Sequence, residues 1–361
     1  MNLEEELKRL IGFKPITSDT GACSELLKYA RKYYENKGLK TECGEITKHP
    51  YLLATTGSEL RKTDLLLQAH IDVVPASGAM LKVVKKGDKI FGRGTYDMLF
   101  AAACFNRLVS ELSESGDLKS INLGIMLTSD EEIGGQNGVG ALFENYDCNI
   151  CVLPDAGTDK EICIEAKGVL QLRITIPGVA GHGARPWQTD SPILKLPEVI
   201  KRISGVFPNT DQEATTCSFT QVHGGEANNQ VPSEASVILD IRFEPADKVD
   251  ALKTKVADSL KDLGVSIEEA DVVGDSYATD INHESVKRFI EIHKDVTGVA
   301  LGTMRAPGSS DARFITPKGI PVIMTRPDGG GLHGDDEWLS LSSLEEYYQI
   351  LKQYVLTFKK V

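Results

Sequence analysis

The hydrophobic pattern of the first half of the chain alternates between two kinds of segment. Residues 64–69, 121–128 and 150–154 are short, nearly continuous apolar runs, which predict strands buried on both faces. Residues 22–37 and 98–112 carry apolar positions at helical spacing and predict helices. Strands that alternate with helices indicate βαβ units, so a largely parallel sheet is expected.

The pattern changes near Lys167. Residues 170–178 (LQLRITIPG) and 236–244 (SVILDIRFE) alternate polar and apolar side chains, which is typical of antiparallel strands with one buried face. Residues 246–263 predict an amphipathic helix. This stretch therefore indicates a second domain with an antiparallel sheet.

From about residue 276 the first pattern returns, with a helical stretch, a strand at 321–325 and a final helix that ends near Lys359. A chain of 361 residues also exceeds the usual size of one domain. The expected fold class is α/β, with a mostly parallel sheet and helices on both of its faces. Residues 1–166 and 276–361 form this domain, and an α+β domain at 167–275 is inserted into it.

Composition narrows the classes of partner. The formal net charge is −12 and the pI is near 5.2, which argues against nucleic acid or an anionic membrane as a partner. No apolar run approaches about 18 residues, and the start MNLEEELKRL lacks the pattern of a signal peptide. The seven scattered cysteines include one C-x-x-C, at Cys148 and Cys151, without a second pair. Reduced thiols in a cytoplasmic protein are expected.

Candidate metal ligands follow four of the predicted strands. They are His70 and Asp72, then Asp130 with Glu131 and Glu132, then Asp155, and finally His333. A further carboxylate, Asp97, precedes a predicted helix. Any one of them alone is explained equally well as a cap or a solvated loop charge. Because the carboxyl ends of parallel strands share one edge of a sheet, their joint occurrence favours a divalent metal site.

The same motifs carry a resemblance. HIDVVP, GRGTYDM, TSDEEIGG, PDAG, GVAGHGARP, GGEANNQVPSEASVILDIR, GSSDARF and LHGDDE occur in the order found in the M20 family of metallopeptidases. That family includes succinyl-diaminopimelate desuccinylase, acetylornithine deacetylase, carboxypeptidase G and several dipeptidases. The resemblance covers nearly the whole chain. It implies a dinuclear zinc hydrolase of amide bonds, in which the inserted domain is a lid on the catalytic domain.

The resemblance implies a role for each candidate ligand. Asp97 resembles the carboxylate that bridges both metals. His70 and Asp155 would complete one metal site, and Glu132 and His333 the other. Two divalent ions are expected, most simply Zn²⁺, with Co²⁺ or Mn²⁺ as alternatives. The four positive charges of these ions would balance three carboxylates and one hydroxide, as a site embedded in a protein should prefer.

Two further residues of these motifs resemble parts of the catalytic machinery. Glu131 resembles the general base that takes a proton from the metal-bound water, so that hydroxide attacks the amide. Asp72 would accept the free N–H of His70 and fix the orientation of its ring. A binding protein that had lost its chemistry should lack ligands or the base, and this chain has all of them.

The inserted domain carries the remaining candidates. His182 resembles a histidine that reaches the active site of a partner subunit and stabilises the oxyanion, which implies a homodimer through the lid. Without the resemblance, His182 is equally a turn residue between glycines. Asn228 and Arg242 resemble residues that bind a substrate carboxylate, although Arg242 could instead form a surface ion pair. Gly308 and Ser309, together with Ser310, resemble a loop that cradles the same group.

Two features bear on the substrate, and they conflict. Position 155 is aspartate, as is usual in the dipeptidase and aminopeptidase branches, whereas deacylases usually have glutamate there. The short chain and its GSSDARF loop instead resemble the deacylase branch. The chain also has Leu99 and Phe100 where relatives commonly have lysine and glycine after the bridging Asp97-Met98. A dipeptide or small peptide is the favoured substrate, and an N-acyl amino acid is the alternative.

Overall fold

A computed structural model describes residues 1–211, 214–306 and 308–360. They form two compact units. Unit 1 comprises Met1–Ile164, Ala278–Ala306 and the chain from Ser310 onward, and unit 2 comprises Glu165–Tyr277 with Gly308 and Ser309. That unit 2 acts as a lid or as a dimerisation domain stays a prediction.

The first part of unit 1 contains the two helices and the three strands that the hydrophobic pattern predicts, together with elements that it did not predict. Its helices are α1 (Leu3–Gly12), α2 (Thr20–Asn36) and α3 (Leu99–Ser115). Its strands are β1 (Lys40–Ile46), β2 (His49–Thr55), β3 (Lys62–His70), β4 (Val84–Lys86), β5 (Lys89–Phe91), β6 (Leu123–Thr128), β7 (Asp147–Val152) and β8 (Glu161–Ala166), which continues into unit 2. Helix α2 begins two residues earlier than expected because the side chain of Asp19 accepts a hydrogen bond from the N–H of Ala22 and caps it.

Unit 2 contains an antiparallel sheet covered by two helices. Its elements are β9 (Gly168–Pro177), β10 (Gly181–His182), α4 (Leu196–Val206), β11 (Thr216–His223), β12 (Gln230–Val231), β13 (Glu234–Phe243), α5 (Val249–Leu260) and β14 (Ser266–Gly274), and β15 (Tyr277–Ala278) leads out of it. The strand order is β11-β13-β9-β14. Alternate side chains of β9, such as Leu172, Ile174 and Ile176, are buried in one core with α4 and α5. This burial of one face explains why polar and apolar residues alternate along β9.

The last part of unit 1 returns to helices and short strands. These are α6 (Glu284–Thr297), β16 (Gly302–Ala306), α7 (Ala312–Ile315), β17 (Val322–Ile323), β18 (Gly329–Gly330), β19 (Trp338–Ser340) and α8 (Leu341–Leu356). A small sheet has the order β18-β19-β5-β4, in which Trp338 pairs with Phe91. This pairing brings the segment before Trp338 beside the segment that follows Phe91.

The main sheet of unit 1 is mixed, with a parallel centre. Its order is β1-β2-β6-β3-β7-β17, where β3 is parallel to β6 and β7, and β7 is parallel to β17. Leu65, Leu66 and Leu67 are each 0% exposed, so both faces of β3 are covered, since successive residues point to opposite faces. Four parallel strands therefore end at one edge of the sheet, and the predicted α/β class is confirmed.

One feature of this sheet was not predicted. The hairpin of β1 and β2 joins the sheet through β2, which pairs antiparallel with β6. Strand β1 is only partly buried along its length, and its sequence lacks the apolar run that marks β3 and β6.

The described residues contain no helix that combines the length and the hydropathy of a membrane span.

Candidate metal centre

Three side chains from different elements of unit 1 meet in a first triad. His70 is the last residue of β3, Asp155 follows β7, and Asp97 precedes α3. The Nε2 atom of His70 lies 3.2 Å from Oδ1 of Asp97 and 3.7 Å from Oδ1 of Asp155. All three side chains are at most 10% exposed. The parallel strands β3 and β7 thus bring His70 and Asp155 to one enclosed point, and the loop before α3 adds Asp97.

A second triad shares Asp97 with the first. The Nε2 atom of His333 lies 3.1 Å from Oδ2 of Asp97 and 3.1 Å from Oε2 of Glu132. His333 is 49% exposed, whereas Glu132 is 5% exposed. One carboxylate oxygen of Asp97 thus faces each histidine. A carboxylate placed in this way is suited to bridge two cations.

The acidic run that follows β6 divides among three environments. Glu131–Ile133 form a short 3₁₀ turn. Glu132 enters the second triad, whereas Glu131 belongs to neither triad among the residues that the structure describes. Oδ2 of the buried Asp130 accepts hydrogen bonds from the N–H groups of Asn137 and Gly138, at 2.8 and 2.9 Å. Asp130 thus stabilises the loop, whereas Glu132 belongs to the second triad and Glu131 does not.

Asp72 lies beneath this arrangement and is fully buried. Nδ1 of His70 lies 3.0 Å from the main-chain oxygen of Asp72 and 3.5 Å from its carboxylate. The carboxylate also accepts a hydrogen bond of 2.9 Å from the hydroxyl of Thr17, and the N–H groups of Glu131 and Glu132 lie 3.4 Å from it. Asp72 therefore connects the ring of His70 to the turn that carries both glutamates.

The protein charges alone make this centre attractive to cations. Hydrogen bonds to Asp97 and Glu132 raise the pKa of His333 to about 10. Burial works against a charge on His70, yet its hydrogen bonds to Asp155, Asp72 and Asp97 raise its pKa well above the ordinary value. Burial and the charge of Asp155 raise the pKa of Glu131 well above its usual range. The site thus holds positive charge tightly between its carboxylates.

The donor set fits divalent metal ions of the zinc type. In each triad the candidate ligand atoms all lie within 4.8 Å of one another. Imidazole nitrogen and carboxylate oxygen suit Zn²⁺, Co²⁺ and Mn²⁺, and neither triad contains a cysteine. The seven cysteines are all free thiols elsewhere in the described chain. Burial raises the pKa of Cys148 to about 12, which leaves this thiol protonated and inert.

Comparison with known proteins decides the family. The model of peptidase family M20/M25/M40 matches residues 66–357, which is most of the chain and includes both triads. The chain belongs to this family. It is therefore an enzyme of the M20 type, a metal-dependent peptidase or amidohydrolase, and the resemblance seen in its motifs is confirmed.

Curated relatives match this M20 chain along its whole length. Succinyl-diaminopimelate desuccinylase of Rickettsia bellii (strain OSU 85-389) is 24% identical, over 97% of this chain and 95% of the relative. The enzyme of the same name from Sulfurovum sp. (strain NBC37-1) is 27% identical, over 99% of each chain.

Solved structures share the fold. A tripeptidase from Staphylococcus aureus is 22% identical, with a TM-score of 0.80 over 99% of this chain and 98% of that one. The M20 family metallo-carboxypeptidase Sso-CP2 from Sulfolobus solfataricus is 17% identical, with a TM-score of 0.83 over 99% of each chain. At these identities the likeness establishes the fold and leaves the substrate open.

The candidate residues of unit 2 lie on its surface. His182, in β10, is exposed, and its Nδ1 accepts a hydrogen bond of 3.1 Å from the N–H of Ala184. Asn228 lies in an exposed turn before β12. Arg242 pairs with Asp240 on the same face of β13, with contacts of 2.6 and 3.1 Å. The ion pair considered from the sequence thus exists, and a substrate carboxylate would have to compete with Asp240 for this guanidinium.

The loop that starts at Gly308 is open at its beginning and packed at its end. A Cβ atom added to Gly308 would meet no atom within 4 Å, so packing does not require glycine there. Ser309 is half-buried, whereas Ser310 is buried and its hydroxyl accepts a hydrogen bond from the N–H of Ala312. The roles of Gly308 and Ser309 in substrate binding stay predictions.

Sequence reasoning missed two residues that contact the ligand-bearing loops. Arg93 and Glu337 form a buried ion pair of 2.7 Å beside Asp97 and His333. Both occur in motifs that carry the family resemblance, GRGTYDM and LHGDDE. A buried arginine and a buried glutamate, each within five residues of a candidate ligand, are the signal that could have indicated them.

Proposed function

We propose that this M20 chain is a dinuclear metal hydrolase that cleaves an amide bond of a dipeptide or small peptide. The observation that carries the proposal is the pair of triads that share Asp97, with Glu131 beside them and outside both. Ligands, a bridging carboxylate and a separate base are the groups that two-metal hydrolysis requires.

Two divalent ions fit the two triads. His70, Asp97 and Asp155 would hold one, and Asp97, Glu132 and His333 the other. Zn²⁺ is the ion proposed, with Co²⁺ and Mn²⁺ as alternatives that the same donors accept. When bound, such ions polarise a carbonyl oxygen and lower the pKa of a coordinated water.

Glu131 would handle the proton of the reaction. A carboxylate beside the attacking water can accept its proton, and burial together with the charge of Asp155 raises the pKa of Glu131, which makes it a stronger base. It would return that proton to the nitrogen of the leaving amine as the C–N bond breaks. Asp72 supports this arrangement, because it contacts both the ring of His70 and the turn that carries Glu131.

Asp155 favours a substrate with a free α-amine. Aspartate is one methylene shorter than glutamate, so a metal bound there would sit closer to the strand or would be held less completely by the carboxylate. Either change would alter the space and charge available to a substrate group beside that metal. At the other end of the substrate, Asn228, Arg242, Gly308 and Ser309 are proposed to hold the carboxylate. His182 is proposed to stabilise the oxyanion from the partner subunit.

A deacylase acting on N-acyl amino acids is the second candidate. The observation in its favour is the whole-length match to enzymes named succinyl-diaminopimelate desuccinylase. The same metals and the same base would serve this reaction, since both substrates contain an amide next to a carboxylate-bearing residue. Only the group beside Asp155 differs.

Comparison of kcat/KM for matched substrates separates the two candidates. The three substrates are an alanyl dipeptide and the N-acetyl and N-succinyl derivatives of its C-terminal residue, each assayed with Zn²⁺, Co²⁺ or Mn²⁺. We expect the dipeptide to be preferred, and Asp155→Glu to shift the preference toward the acyl substrates while retaining both metals. Preference of the native chain for an N-acyl substrate would overturn the peptide assignment and favour the deacylase.

A homodimer through unit 2 completes the proposal. Among the described residues, five of the ten exposed large hydrophobic side chains lie in unit 2, although it is less than a third of the chain: Val179, Trp187, Ile193, Leu194 and Val222. Strand β11 is also an edge of its sheet. Exposed apolar side chains and a free strand edge are features that a second copy of the chain would cover.

A further inference from the structure

Glu337 is a buried carboxylate that the proposed mechanism does not use. It is 0% exposed and lies in the segment that β19 brings beside β5. Its Oε1 accepts hydrogen bonds from the N–H groups of Tyr96 and Asp97, at 2.8 and 3.1 Å. Its Oε2 accepts from the N–H of Gly94 at 3.1 Å and from Nη1 of Arg93 at 2.7 Å. Because all four partners are donors, the ionised carboxylate fits this position.

Arg93 joins this carboxylate to a second loop. The side chain is nearly buried, and its Nη2 donates to the main-chain oxygens of His333 and Gly334, at 3.0 and 2.9 Å. His333 has a φ of +58°, a left-handed conformation that a residue other than glycine keeps only where its surroundings hold it. Its side chain is 49% exposed and contacts Asp97 through Nε2, so the backbone contacts with Arg93 hold the main chain of His333 beside that side-chain contact.

We infer that Glu337 and Arg93 are positioning residues that hold the backbones of Asp97 and His333 so that their side chains can share a metal ion. The inference rests on the proposed metal-dependent function. Glu337 fixes the loop of Asp97 at three N–H groups, and Arg93 fixes the loop of His333 at two carbonyls. Neither residue touches a candidate ligand atom, so both act through the main chain.

A purely structural role for the pair is the competing explanation. Buried ion pairs often contribute little to stability compared with apolar residues of the same volume. The contacts of this pair, however, are concentrated on the two loops that carry Asp97 and His333. A ligand atom displaced by about 0.5 Å or more already weakens a site that needs defined geometry. The two explanations differ in what they predict for metal affinity.

The first test is Glu337→Gln in the full chain loaded with Co²⁺. The amide has one acceptor oxygen, so its NH₂ group must face N–H donors, and Arg93 loses its charged partner. We expect a chromogenic chelator to remove Co²⁺ from this variant at about 10- to 100-fold lower concentration, as for residues that orient metal ligands. The visible spectrum of the bound Co²⁺ should change as well.

The variant Arg93→Lys tests the contribution of the His333 loop separately from that of the Asp97 loop. Lysine keeps a positive charge near Glu337 but lacks the planar fork that reaches His333 and Gly334. We expect it to weaken the ion held by His333 more than the ion held by His70. At the lowest free Co²⁺ concentration that fills both sites of the native chain, the bound ratio of the variant should fall from two ions per chain toward one. This variant also carries the test if Glu337→Gln fails to fold.

Glu6→Gln is the matched control. Glu6 is 1% exposed and accepts hydrogen bonds from Tyr29, Asn106 and Arg9, but it contacts neither ligand-bearing loop. The Glu6→Gln variant should be less stable than the native chain, but it should keep the affinity for Co²⁺ and the visible spectrum of the bound ion. If Glu337→Gln and Arg93→Lys both hold Co²⁺ as tightly as Glu6→Gln does, the positioning role is overturned and the proposed function stands. A native chain that binds no Co²⁺ would overturn the metal-dependent function itself.

Discussion

The two units of this chain carry their candidate chemistry in different ways. In unit 1 the candidate metal ligands are mostly buried and lie close to one another, as His70 and Asp97 do at 3.2 Å. In unit 2 the candidates His182 and Asn228 are exposed, and Arg242 already pairs with Asp240. Buried carboxylates and histidines are costly unless something balances their charge. Exposed polar side chains carry no such cost.

This difference determines how strongly each unit supports a function. The cluster in unit 1 needs a chemical explanation, because burial of several ionisable groups at one point would otherwise destabilise the fold. The residues of unit 2 are compatible with ordinary solvation, so their roles depend on the family resemblance. Experiments on the two units therefore test different inferences, and the expected effects decrease from unit 1 to unit 2.

The largest expected effect is the decrease of kcat when Glu131 is replaced. If it is the base and not a ligand, Glu131→Gln should lower kcat by about 10²- to 10⁴-fold, the usual range for general acid–base catalysis. The metal content should not change, because the residue belongs to neither triad. Metal analysis beside steady-state kinetics checks both statements. Loss of metal together with activity would instead place Glu131 among the ligands.

A smaller effect should distinguish the two triads within unit 1. His70→Ala and His333→Ala should each reduce the metal content of the purified chain. In chelator, His70→Ala should also lower the free energy of unfolding by about 2–4 kcal/mol, because it removes a buried partner of two carboxylates. His333→Ala should cost less than about 1 kcal/mol, since that side chain is half exposed.

Urea denaturation with chelator present measures this difference in stability. If both variants lost the same free energy of unfolding, the burial of His70 would not make the first triad more important for stability than the second. Unchanged metal content in both variants would overturn the assignment of the ligands.

The smallest effect on the fold is expected in unit 2. Leu194 is 80% exposed, so Leu194→Asp should change the stability of the monomer by less than about 0.5 kcal/mol. If unit 2 forms the dimer, the same change should shift sedimentation from dimer to monomer. Activity should then fall while metal is retained, because His182 loses the partner subunit.

Val84→Asp supplies the control for this experiment. Val84 is an exposed apolar residue of unit 1, at 46%, and its replacement should leave the assembly unchanged. A native chain that sediments as a monomer with full activity would contradict both the dimer and the role of His182.

The acidic run at 130–132 shows how far sequence reasoning reaches. Its position after an apolar strand predicts that carboxylates lie at the edge of the sheet, because local hydrophobicity marks where β6 ends. The division of labour between Glu131 and Glu132 was taken from the family resemblance, and in the structure only Glu132 enters a triad. Asp130 turned out to accept hydrogen bonds from its own loop.

Local hydrophobicity along the sequence is enough to locate the parallel strands that lead to the centre. Continuous apolar runs define strands that must be covered on both faces, and such strands run parallel and end together. His70, Asp155 and the acidic run were therefore expected at one edge. The antiparallel hairpin of β1 and β2 was not, because a half-exposed edge strand has no strong apolar pattern.

Which of these side chains meet depends on contacts between distant parts of the chain. Asp97 stands 27 residues from His70 and 236 from His333 along the chain, yet one of its oxygens faces each histidine. Glu337 lies 240 residues from Asp97 along the chain, yet its carboxylate accepts a hydrogen bond from the N–H of Asp97. Local patterns act over a few residues, since they reflect the period of a helix or a strand. Contacts at these separations arise when β19 pairs with β5 and the parallel strands assemble, so they follow from the fold as a whole.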